Sequence, residues 1–135
     1  CGFEKMLLTG HIGKLIKVSG GIMNTHSREA DCRVELLAAA GLRAGVSRDN
    51  LMKILDSATT TEAIAYLEEE KKTKPVMDYL MERIIYYMNK RAGGKMKIEC
   101  ILYDNQYGEL AKSEGAEEFL HELQHENVNA NETTI

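Results

Sequence analysis

The stretch LLTGHIGKLIKVSGGIMNTHSREAD, residues 7–31, concentrates the side chains able to do chemistry: His11 and His26, Lys14, Lys17 and Arg28, and the polar run Asn24-Thr25-His26-Ser27. Between residues 9 and 28 there is no Asp or Glu, so this island carries +3 while the rest of the chain carries −7. A cationic cluster of this kind suits carboxylates or phosphates, which accept charge-assisted hydrogen bonds from Lys and Arg. Histidine adds a group that titrates near neutral pH and can take a proton. Gly10 and Gly13 follow an apolar run, and a strand that ends in a glycine turn before a helix offers backbone N–H groups at the carboxyl edge of a sheet. A solvated loop with capping residues would explain Thr25, Ser27 and the lysines singly, but not their clustering beside glycines.

Other chemistries fit less well. In GHIGKL only two residues separate the first glycine from Gly-Lys and Leu15 stands where a phosphate loop needs Ser or Thr; the third glycine of the dinucleotide fingerprint is missing too. A metal held by His11 and His26 would have to recruit Asp31 or Cys32, the nearby donors. His121-Glu122-Leu123-Gln124-His125 matches the H-E-x-x-H pattern of zinc peptidases. Helical spacing puts Ala116, Phe119, Leu120 and Leu123 on the buried stripe, which turns His121 and His125 toward solvent, and the longer pattern's glycine and third histidine are absent.

The elements that must position the island follow from periodicity. Residues 4–9 read as a short buried strand, Gly10 and Gly13 as a tight turn, and 14–19 as a short helix closed by Gly20-Gly21. A helix over 28–44 is expected, capped by Thr25 or Ser27 and stopped by Gly45, with small residues that permit close packing. Ser47 caps a helix over 48–57, and Thr59 with Glu62 forms a capping box for 60–72. Pro75 opens another helix, whose stripe Met77, Leu80, Met81, Ile84, Ile85 and Met88 belongs to the core and runs to Gly93-Gly94. Residues 95–103 form a second strand; a polar loop, a helix over 115–126 and a polar tail complete the chain. The expected fold is therefore α/β: a Rossmann-like partial parallel sheet, strand 4–9 beside strand 96–103, with a largely helical middle.

Composition sets outer limits. A net charge of −4 and 6% aromatic content without Trp argue against a nucleic-acid surface. No apolar run reaches the length of a membrane helix and no signal-peptide pattern opens the chain, so a cytoplasmic protein is expected. Cys1, Cys32 and Cys100 are an odd number at wide spacing, as for reduced thiols. The opening CGFEKMLLTG and the shortage of strands for a parallel sheet read as a fragment of something longer.

Residues 2–35, GFEKMLLTGHIGKLIKVSGGIMNTHSREADCRVE, resemble the signature region of the CbiD family, the cobalt-precorrin-5B (C1)-methyltransferases of anaerobic cobalamin synthesis. The resemblance rests on the strand followed by Gly10-His11-Ile12-Gly13-Lys14, on Gly20-Gly21, on Asn24-Thr25-His26-Ser27, and on Ala30-Asp31-x-Arg33-x-Glu35; Cys32 departs from the pattern. It implies methyl transfer from S-adenosylmethionine to carbon 1 of a ring-contracted tetrapyrrole whose cobalt belongs to the substrate, giving cobalt-precorrin-6A. Lys14, Lys17, Arg28 and Arg33, with Asn24, Thr25 and Ser27, would hold the carboxylates of the substrate rim. Gly10, Gly13 and Asp31 would face the methyl donor, and His26 or His11 would take the proton the ring loses. The family implies a missing N-terminal domain, residues 1–126 being a C-terminal α/β domain; the polar residues 127–135 read as a flexible tail, a homo-oligomer is left open, and this piece alone is expected to be inactive. The other reading of the same island is a non-catalytic domain that binds an anionic metabolite.

Overall fold

A computed structural model of the chain describes residues 4–21, 32–94, 96–126 and 131–134. Strand β1 (Glu4–His11) runs directly into helix α1 (Ile12–Ser19). The helices α2 (Arg33–Ala44), α3 (Arg48–Leu55), α4 (Thr60–Glu69) and α5 (Thr73–Ala92) follow, then strands β2 (Met96–Asp104) and β3 (Gly108–Lys112), helix α6 (Ala116–Glu126) and strand β4 (Asn131–Thr134). The sheet order is β3-β2-β1-β4. β1 lies parallel to β2, Glu4 opposite Met96 and His11 opposite Tyr103, and parallel to β4 on its other side; β2 and β3 form an antiparallel hairpin. The expected open α/β sheet, with its parallel pair and helical middle, is what the chain forms.

Both faces of the sheet are covered. Adjacent residues Leu7 and Leu8 are each buried, as in a strand with helices on both sides. Leu8, Cys100 and Leu102 point into the main core with α1, α2, α4 and α5, whereas Leu7 packs with Ala116 and Phe119 of α6 on the opposite face. The apolar stripe of α5 faces the core as its spacing predicts, with Met77, Leu80, Met81 and Ile84 buried.

Local signals set most helix ends. The Ser47 hydroxyl accepts the Asn50 N–H at 3.3 Å and donates to Glu70 at 2.6 Å, tying the start of α3 to the end of α4. Thr59 accepts the Glu62 N–H at 3.1 Å, while the Glu62 carboxylate takes the N–H of Ala58, one residue before the cap. Gly45 ends α2 at φ +88°, a left-handed conformation that costs other residues a clash. A Cβ on Gly41 would lie 3.0 Å from Leu51, so the small face of α2 does admit α3 closely.

Three expectations differ. Gly10 and Gly13 do not form a separate turn: β1 continues through Gly10, and Gly13 lies inside α1. The polar loop after β2 is a hairpin that returns as β3. Residues 131–134, expected within a frayed tail, pair with Met6–Thr9 as β4. No helix among the described residues is long and apolar enough to cross a membrane.

Candidate functional site

The parallel strands β1 and β2 end side by side, at the edge where open α/β sheets hold their ligands. His11, the last residue of β1, is also the N-cap of α1: in an extended conformation (φ −71°, ψ 140°), its Nδ1 accepts the Gly13 N–H at 2.9 Å. An accepting Nδ1 carries no hydrogen, so in the neutral ring the hydrogen is on Nε2. That nitrogen lies 3.5 Å from Oδ1 of Asp104, the last residue of β2. The ring also meets Tyr103 edge-on, with centroids 5.7 Å apart. Both ring nitrogens are thus turned to the protein, and His11 serves here as a clamp between the strand end and the helix start.

Asp104 is the residue that sequence reasoning missed. Its side chain is fully buried. Oδ1 accepts from the Thr61 hydroxyl at 2.7 Å, and Oδ2 accepts the N–H groups of Gln106 at 2.8 Å and Tyr107 at 3.2 Å. Burial pushes this carboxyl up, but the Thr61 hydroxyl, the two N–H groups and the His11 ring outweigh it, and the net effect holds Asp104 below the usual aspartate value. One carboxylate therefore joins the β1–α1 junction, the first turn of α4 and the β2–β3 turn. The available signal was an Asp closing an apolar run before Asn105 and Gly108, which is hairpin chemistry.

The predicted residues divide into those the structure brings to this edge and those it leaves outside. Gly10 is buried, and a Cβ there would come within 2.6 Å of Leu15; Gly13 has the His11 ring 3.1 Å from its would-be Cβ. Both glycines make room for neighbouring side chains. Lys14 is exposed on α1 beside this edge. Lys17 is buried, and it and the half-buried Arg33 are each engaged within the protein. Asn24, Thr25, His26, Ser27, Arg28 and Asp31 lie outside the described residues. On α6, Ala116 and Phe119 are buried as the stripe predicts and His121 is exposed; the side chain of His125 is outside the described residues. No group of three metal-donor side chains forms among the described residues.

Comparison with known proteins adds what geometry alone does not. The family model described as "CbiD, C-terminal domain" matches residues 24–114. A protein of Ruminiclostridium cellulolyticum named cobalt-precorrin-5B C(1)-methyltransferase is 41% identical over 107 residues, covering 79% of this chain and 28% of that protein. Proteins of the same name from Methanocaldococcus jannaschii and Alkaliphilus metalliredigens are 41% and 38% identical over 112 and 125 residues, covering 83% and 93% of this chain but 30% and 33% of their own lengths. No solved structure matches the chain. The chain spans about a third of the length of these curated relatives, and on the family match and these identities it belongs to the CbiD family, within its C-terminal domain.

Proposed function

We propose that the protein containing this chain methylates carbon 1 of cobalt-precorrin-5B, giving cobalt-precorrin-6A in cobalamin synthesis, and that this chain supplies part of the substrate grip. The observation that carries the reading is the family match over residues 24–114; His11 and Lys14, which precede it, lie at the end of β1 and in α1. In this reading the exposed Lys14 takes a rim carboxylate of the tetrapyrrole, with Arg28, Asn24, Thr25 and Ser27 completing the grip. Lys17 and Arg33, engaged within the protein, support that wall. S-adenosylmethionine supplies the methyl group when bound. Because Gly10 and Gly13 are filled by Leu15 and His11, its site falls to Asp31 and to the part of the protein outside this chain. The two histidines then take different roles: His11, whose Nδ1 caps α1 and whose Nε2 faces Asp104, holds the strand–helix junction, and His26 takes the proton. Orientation of acceptor carbon against donor methyl is the enzyme's main contribution.

The test is methyl transfer by a full-length family protein carrying this sequence. Lys14→Ala and His26→Ala are expected to lower turnover at least ~100-fold for the base and ~10-fold for the lysine, while thermal stability stays near the parent's. Activity close to the parent's in both variants would show that the island is structural.

A further inference from the structure

We propose that a groove between α5 and the uncovered half of β2 receives an extended basic segment from the part of the family protein that this chain does not include. The proposal rests on the family reading for the existence of that part, and on the following geometry for its place. β3 pairs only with Ile101–Asp104, leaving Met96–Glu99 without a neighbour on that side among the described residues. The last link is Ser113, whose N–H donates to the Cys100 carbonyl at 2.8 Å and whose hydroxyl accepts the Cys100 N–H at 2.8 Å. Main-chain groups in a strand alternate between its two neighbours. Cys100 faces the β3 side, so Ile98, two residues back, faces it as well, with no β3 residue opposite.

Ile98 is nevertheless only 5% exposed. Its N–H and C=O thus point into a sheltered space, where an unpaired main-chain group costs free energy and is normally matched. That space is a groove of about 640 Å³ with Met81, Ile85 and Ile98 as its apolar floor. Its size and mixed lining suit an added strand, which pairs main chain to main chain and seats alternate side chains in the groove. The rim sets the sign of the occupant. Asp78, Glu82, Glu99 and Glu114 line it against Lys97 and Lys112; Asp78 is paired with Lys74 at 3.2 Å, and Lys112 with Glu109 and Glu117 at 3.6 and 2.7 Å. Carboxylates outnumber ammonium groups in the lining, and a basic segment is complementary. The matched relatives are roughly three times as long as this chain, so a family protein has chain enough outside this stretch to supply the segment. The groove lies beside the β2 end opposite Asp104, so its occupant would fix the domain without blocking the His11 edge.

Amide hydrogen exchange in a full-length family protein carrying this sequence tests the proposal. The Ile98 amide is expected to be protected there, and the double reversal Asp78→Lys, Glu82→Lys, on exposed positions of α5, is expected to speed its exchange about 10-fold or more while Leu7 in β1 is unchanged. An Ile98 amide that exchanges as fast as an unpaired one overturns the proposal. So does protection that ignores the charge reversal. Protection that disappears on dilution would assign the groove to a second copy instead, and equally overturns it. Exchange is read without methyl transfer, so the outcome stands whether or not the activity reading survives.

Discussion

Asp104 closes β2 at one edge of the sheet and Glu99 lies five residues earlier, near the other edge; both are buried, yet they hold different things. Asp104 gathers a hydroxyl, two N–H groups and a histidine from three separate elements. Glu99 accepts from the Ser113 hydroxyl and the Gly115 N–H, at 2.5 and 3.1 Å, and so serves the entry to α6 alone. The first carboxylate organises the edge where β1 and β2 end, and the second pins one helix beneath a groove. A buried carboxylate marks a hub only when its donors come from elements distant in sequence.

That contrast can be broken by substitution. Asp104→Ala leaves the Thr61 hydroxyl and the His11 ring facing an empty acceptor position, so it should destabilise most, by about 3 kcal/mol in denaturant unfolding. Glu99→Ala strands fewer donors and should cost about 2 kcal/mol; an equal or larger loss would remove the distinction between the two sites. Gly115→Ala places a Cβ 2.5 Å from the Glu99 carboxylate. The carboxylate end can shift, so roughly 1 kcal/mol is expected, separable from Glu99→Ala by retention of the Ser113 bond.

Titration sharpens the same comparison. The folded-state pKa of Asp104 lies below its ordinary value, so its stabilisation is present at neutral pH and is lost as pH falls through that lowered value. Asp104→Asn should therefore flatten the acid limb of the stability–pH curve. Between the two carboxylates on β2 sits Cys100, whose thiol is raised by burial, and by the nearby Glu99, to about 12. The smallest effect expected is kinetic: of the two cysteines among the described residues, the half-buried Cys32 should label with a thiol reagent before Cys100, which reacts only on unfolding.

Much of this molecule is legible in its sequence, and the exceptions share a cause. The apolar runs of β1 and β2, the caps at Ser47 and Thr59, the α5 stripe and the stop at Gly45 all depend on residues within a few positions of each other. What escaped was decided at long range. Lys17 has the type of a surface cation, yet the packed fold buries it. Asp104 acquires its importance from Thr61 and His11, which no local window brings together. β3 was hidden because only Ala111 of its five residues is buried, too weak an alternation to distinguish from a loop.

The register of β1 has a consequence for how the chain reaches this state. Glu4 waits for Met96 and His11 for Tyr103, so every bond of the central parallel pair must follow synthesis of the helical stretch between them. Those helices are joined by local contacts that form quickly, while closure of the long crossover is slow. A ribosome-bound chain would thus carry an apolar β1 without its partner until β2 emerges, and that interval is when aggregation competes with folding.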